Sequence, residues 1–213
     1  MKVYHGSKQT ITSPKYQGSK KDNDYGPAFY LTRNIESSHE WACRNLTVGV
    51  VNEYELDLNG LKVLDLTDKT KYSVLNWLAV LLHFRTLEDS FVRPFKARLE
   101  FLEERYFIDV SKFDLVIGYR ADDAYFRFPL DFIRGNLTLE QLEYAYSLGK
   151  LGIQYVITSQ RGIEHLKYIK TIPSDAKYIN QYFENVGFAT KRFDELSKDD
   201  KGIRIFDVME DRK

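Results

Sequence analysis

Val50-Val51-Asn52-Glu53-Tyr54-Glu55-Leu56-Asp57-Leu58 alternates apolar and polar side chains, the period of a half-buried strand. Asn59-Gly60 follows at once, the dipeptide that most favours a tight hairpin, so Leu61 to Leu66 is expected as the partner strand. Outward from this pair, Lys2 to His5 reads as a strand broken at Gly6-Ser7, and Ala28 to Thr32 as a second. Asp114 to Tyr119, Ile153 to Thr158 and Leu166 to Ile169 read as three more. Between them lie helical patterns over 35–46, 72–85 and 91–107, the first with Asn34 as its N-cap. Thr138-Leu139-Glu140-Gln141 has the form of a capping box and opens a helix to about Leu148. A polar tail from Ser174 reads as a helix through Leu196. Hairpin-paired strands with helices between groups of them imply an α+β fold and not a doubly wound parallel sheet. No repeat or linker divides the chain, so residues 1–213 are read as a single domain, with a core over about 2–170 and an extension over 171–213.

Composition narrows the function classes. The 213 residues include 15 Tyr and 14 Phe, enough bulk for a core without metal or disulfide staples. Lys+Arg and Asp+Glu both total 31. A neutral chain lacks the basic field behind unspecific nucleic-acid affinity, which argues against a DNA- or RNA-coating protein. The lone Cys43 has no partner for an internal disulfide, as suits a reducing compartment. Met1 runs straight into Lys2-Val3-Tyr4-His5 without a charged-then-apolar leader. The apolar run from Val74 to Phe84 is interrupted by Asn76 and His83 and is too short to span a bilayer. The expectation is a cytoplasmic protein, or one injected from a cytoplasm, with no membrane partner.

Several chemistries fail on spacing. The sequence contains no G-x-x-x-x-G-K-[ST] phosphate loop and no G-x-G-x-x-G after a strand. His5, His39, His83 and His165 do not form H-E-x-x-H, and Cys43 has no second cysteine, so no metal is expected. Cys43 falls within an amphipathic helix pattern and reads as a small buried hydrophobe.

Three segments place polar groups on or beside apolar strands: Tyr4-His5-Gly6-Ser7, Asn23-Asp24-Tyr25-Gly26-Pro27-Ala28-Phe29-Tyr30-Leu31-Thr32, and Leu151-Gly152-Ile153-Gln154-Tyr155-Val156-Ile157. Singly, each also fits a purely structural role. His5 then is a hydrogen-bonded strand-end histidine, Tyr30 a core aromatic, and Gln154 a surface residue of an edge strand.

Together they resemble the bacterial family described as domain of unknown function 3990, whose fold is of the ADP-ribosyltransferase type. The resemblance is carried by the first two segments, by Trp41-Ala42-Cys43, by Tyr54 to Leu58 and by Leu75-Asn76-Trp77-Leu78-Ala79. It continues through Ile117-Gly118-Tyr119-Arg120-Ala121-Asp122-Asp123 and Leu148-Gly149-Lys150-Leu151-Gly152 into Gln154, over roughly residues 2 to 170. It implies two packed, mainly antiparallel sheets with flanking helices and an H-Y-E-type pocket that takes NAD⁺ as substrate. In that pocket His5 binds a ribose hydroxyl, the backbone of Gly6 holds the nicotinamide amide, and Tyr30 stacks on the nicotinamide ring. Gln154 falls where many such transferases carry glutamate, and Arg120 pairs with the pyrophosphate or holds a neighbouring aspartate.

Two residues depart from the pattern. A glutamine can bind the ribose 2′-hydroxyl but cannot take a proton from the acceptor, which makes Asp122 and Asp123 candidates for an assisting carboxylate. A loop or helix cap is the equal alternative for that pair. Ala28 stands where glycine is expected, and its methyl group is expected to narrow the pocket. The implied activity is transfer of ADP-ribose from NAD⁺ to an unidentified acceptor. Neutral charge favours a protein or small molecule over nucleic acid as that acceptor. The family likeness suggests a toxin of a toxin–antitoxin or anti-phage module, partnered by a small antitoxin. The alternatives are an NAD⁺ glycohydrolase and a catalytically inactive NAD⁺ or ADP-ribose binding module.

Overall fold

Seven strands join edge to edge in one mixed sheet of order β4-β5-β6-β2-β1-β3-β7. They are β1 (Lys2–Ser7), β2 (Phe29–Thr32), β3 (Val50–Leu56), β4 (Val63–Asp65), β5 (Leu115–Tyr119), β6 (Ile153–Ile157) and β7 (Leu166–Pro173). The structure is a computed structural model, and it describes residues 1–121, 125–147, 152–196, 198 and 201–210. The described helices are α1 (Ile35–Cys43), α2 (Val74–Phe84), α3 (Asp89–Tyr106), α4 (Arg127–Arg134), α5 (Leu139–Ser147), α6 (Gln160–Glu164), α7 (Lys177–Leu196) and α8 (Ile205–Glu210). All neighbouring strands run antiparallel except β4 and β5, which are parallel.

The caps behave as their residue types dictate. Asn34 Oδ1 accepts from the amides of Glu36 at 3.0 Å and Ser37 at 3.3 Å, satisfying donors that the first turn of α1 leaves open. Thr138 and Gln141 exchange side-chain and backbone bonds of 2.8 and 3.2 Å at the start of α5. Alternation then sorts the strands into two faces. Val116 and Val156 face the larger core, with Trp77, Leu78, Phe128 and Phe132 from the helices. Val3, Phe29, Leu31, Tyr54, Leu56, Leu115 and Ile157 build a smaller core.

Two expectations are corrected. The two packed sheets are one sheet, nearly divided at the contact between β1 and β2. There the strands share a single registered pair, Tyr4 with Thr32, whereas β1 pairs β3 without interruption from Lys2–Glu55 to Ser7–Val50. That one pair stitches β4-β5-β6-β2 to β1-β3-β7. The second correction concerns Asn59-Gly60. The turn forms, with Gly60 at φ 76° and Leu61 N–H bonded to Leu58 O, but no hairpin follows. β3 already has β1 on one side and β7 on the other, so no edge is left for the returning chain. It crosses instead to the far edge of the sheet, where Val63–Asp65 pairs in parallel with β5.

The extension completes the core. β7 runs to Pro173 along β3, α7 bonds α1 through Gln181 and Asn185 to Glu40, and Ile205 of α8 is fully buried in the larger core.

Candidate functional site

The strands part beyond the Tyr4–Thr32 pair, and a cleft of about 490 Å³ opens at this seam. Tyr4, His5 and Gly6 of β1 line it, with Tyr30 and Thr32 of β2, Gln154 of β6 and Trp41 of α1. Three segments remote in sequence therefore meet in one concavity, the kind of place where ligands bind.

His5 bridges the seam. Its Nδ1 lies 2.7 Å from the Tyr30 carbonyl oxygen; a carbonyl only accepts, so Nδ1 carries the proton and Nε2 the lone pair. The ring stacks on Phe29 at 4.5 Å, and burial holds the imidazole's pKa below its ordinary value. At neutral pH it is an uncharged acceptor. Gly6 has a packing reason to be glycine, because a Cβ there would collide with the Ser38 carbonyl oxygen and the Ala42 amide of α1.

The ring of Tyr30 is tethered at its tip. The hydroxyl donates to Gly26 O at 2.6 Å and accepts from Tyr25 N–H at 3.2 Å. Burial, reinforced by the nearby Asp24, raises the phenol's pKa, so it stays protonated. Gln154 sits on a central strand between β2 and β5, not on an edge. Its Nε2 donates to Asp24 Oδ2 at 3.3 Å, and its Oε1 is buried without a hydrogen-bond partner among the described residues.

Asp24 stands in the second segment, but sequence reasoning gave it no role. It is buried, at 6% exposure. Its Oδ2 also accepts from Ala121 N–H at 2.9 Å, and its Oδ1 lies 3.8 Å from Arg85 Nη1. An aspartate between Asn and a Tyr-Gly pair reads as turn chemistry, and only its contacts across the fold reveal a buried charge.

Among the described residues, Lys20, Arg44, Arg85 and Arg120 line the cleft against the carboxylates Asp22 and Asp24. Arg120 and Arg44 lie 4.5 and 3.6 Å from the centre of the Trp41 ring. Guanidinium groups lining a cleft suit an anionic ligand. Arg44 and Arg85 escaped the sequence because nothing local separates them from ordinary surface arginines.

Ala28 requires a correction. Its side chain is buried in the larger core at 1% exposure and is not among those that line the cleft, so the methyl group does not narrow the pocket. Gly26, at φ 73° and against the Phe84 ring, is the glycine this loop needs. Asp122 and Asp123, and the Leu148–Leu151 part of the glycine motif, lie outside the described residues. No group of three or more His, Cys, Asp or Glu able to hold a metal occurs among the described residues. No described helix is long and apolar enough to cross a membrane.

Fold and cleft together define an α+β protein with a ligand-sized, cation-rich pocket over a sheet seam. The chain belongs to the DUF3990 family, described as a protein of unknown function, whose match covers residues 1–168. No curated protein and no solved structure matches it.

Proposed function

We propose that this chain is an ADP-ribosyltransferase that consumes NAD⁺ at the β1–β2 seam. The observation that carries the reading is the meeting of His5, Tyr30 and Gln154 in one cleft beside Arg44, Arg85 and Arg120. The neutral Nε2 of His5 suits a ribose hydroxyl donor. The Tyr30 ring suits a cationic pyridinium, where stacking and cation–π attraction act together. The arginines suit the pyrophosphate.

The chemistry asks little proton transfer of the protein. The bond between ribose C1′ and the nicotinamide nitrogen breaks with its electron pair leaving on nicotinamide, which departs neutral. The ribose passes through an oxocarbenium-like state, as in glycoside hydrolysis. A lone pair of the acceptor forms the new bond to C1′, and the acceptor's proton passes to water. The site's work is to fix the cofactor's shape and to place acceptor dipoles around the developing cation. Gln154, an amide where a carboxylate is usual, favours as second readings an NAD⁺ glycohydrolase and a binding module. An intracellular toxin restrained by an antitoxin is the biological setting proposed with it, on the family likeness alone.

Incubation with NAD⁺, with nicotinamide followed in the presence and absence of cell lysate, separates these readings. Release that requires lysate supports a transferase, and release without it a glycohydrolase. Binding without release leaves the binding module, and the absence of both sinks all three.

A further inference from the structure

Gln154 is held in one orientation. Its amide nitrogen faces the Asp24 carboxylate at 3.3 Å while its amide oxygen is buried with no hydrogen-bond partner among the described residues. Turning the amide round would set oxygen against oxygen, because a carboxylate only accepts. A buried acceptor without a donor is costly to keep, and Gln154 is one of the residues that line the cleft. Asp24 is itself fixed by the Ala121 amide at 2.9 Å and by Arg85 at 3.8 Å. Next to it, Tyr25 donates to Tyr119 O at 2.7 Å, where Trp77 Nε1 also donates at 3.0 Å. The loop that carries the carboxylate is thus tied to the end of β5 through Tyr25.

We propose that Asp24 is the positioning residue of this site, aiming the Gln154 oxygen at a ribosyl hydroxyl and supplying the negative charge that a glutamate would bring directly. The inference rests on the ADP-ribosyl reading of the cleft. An amide that donates to a carboxylate is polarised, so its oxygen becomes a stronger acceptor. A fixed anion one hydrogen bond away also stabilises a developing ribosyl cation without reorganising when the bond breaks. Arg85 compensates the burial of the charge when the cleft is empty. The division of labour is definite: Gln154 touches the sugar, and Asp24 acts through it.

The test compares wild type with Asp24→Asn, Gln154→Glu and the double variant, each checked for folding by circular dichroism. Calorimetry measures NAD⁺ affinity, and nicotinamide release measures turnover. Asp24→Asn keeps the shape and loses the charge, so affinity is expected to stay within about threefold while kcat falls roughly 100-fold. The second change, Gln154→Glu, returns a carboxylate and is expected to recover about tenfold or more over Asp24→Asn. Gln154→Glu alone sets two carboxylates side by side, which then share a proton. Its pH–rate profile gains an ionisation above the ordinary carboxylate range, and the double variant lacks it. A kcat for Asp24→Asn within about twofold of wild type overturns the inference and leaves the transferase reading intact. If Asp24→Asn does not fold, the Gln154→Glu profile decides, and a flat profile overturns the inference. Wild type that neither binds NAD⁺ nor releases nicotinamide overturns both.

Discussion

Tyr30 does two jobs that substitution can separate. Its hydroxyl ties β2 to the Tyr25–Gly26 loop, while the residue lines the cleft. Tyr30→Phe is expected to lose about 1–3 kcal/mol of stability, because the Gly26 carbonyl and Tyr25 amide lose their partner, yet to keep NAD⁺ turnover. Tyr30→Ala is expected to abolish turnover, and turnover at the wild-type level in a folded Tyr30→Ala protein would remove Tyr30 from the site. His5 yields a prediction about pH. Burial holds its folded pKa below the ordinary 6.5, so below that pH the unfolded chain binds more protons than the folded one. Stability is therefore full above about pH 6.5 and declines as the pH falls through the folded value. His39 shifts in the same direction, again mainly through burial, so His5→Gln should flatten only part of the decline. Melting temperatures measured at about pH 7.5 and 5.5 in both proteins check this.

At the scale of elements, the position of α1 against β1 sets the width of the cleft. Gly6 is the contact point, with the Ser38 carbonyl oxygen and the Ala42 amide where a Cβ would go. Gly6→Ala must push backbone against backbone and should destabilise by about 1–3 kcal/mol, as overpacked sites do. It should also weaken ligand binding, because Ser37, Ser38 and Trp41 line the cleft from that helix. Gly187 is the counter-case. It lies within α7, exposed, with nothing within 4 Å of an added Cβ. Gly187→Ala should stabilise by roughly 0.5–1 kcal/mol through helix propensity. Urea denaturation of the two variants reads both signs, and a stabilised Gly6→Ala would show that the helix sits farther from the strand.

For the whole molecule, the family match ends at residue 168 but the folded unit does not. β7 continues to Pro173 beside β3, and Ile205 is fully buried among the helices of the larger core. Arg98 and Arg204 also bond the Ile133 and Gly135 carbonyls around the end of α4. Ile205→Ala is expected to cost about 2–5 kcal/mol, the range for removing a buried aliphatic side chain. A chain cut after Pro173 should then unfold at markedly lower urea than the full chain. Equal midpoints for the cut and full chains would make the extension an appendage.

Local signals carried what depends on neighbours in sequence. Asn34 and Thr138–Gln141 were readable as caps because a cap bonds amides two or three residues away. The strands of Val50–Leu56 and Leu115–Tyr119 were readable from alternation and from a continuous apolar run, although alternation did not foretell that Asn52 and Glu53 are buried. The Asn59-Gly60 turn was readable, but not the partner of the strand it follows, since partners depend on which edges other strands already occupy. The site divides the same way. His5, Tyr30 and Gln154 could be picked out through resemblance, as residues within recurring short motifs. Asp24 stood in one of those motifs without a role, and Arg44 and Arg85 stood outside them, because a buried charge is defined by its compensating groups: Ala121, Gln154 and Arg85 reach Asp24 from 61 or more positions away along the chain. Strand and helix formation follow from side chains a few residues apart. The seam, the orphaned Gln154 oxygen and the carboxylate beneath it exist only once β1, β2 and β6 are side by side.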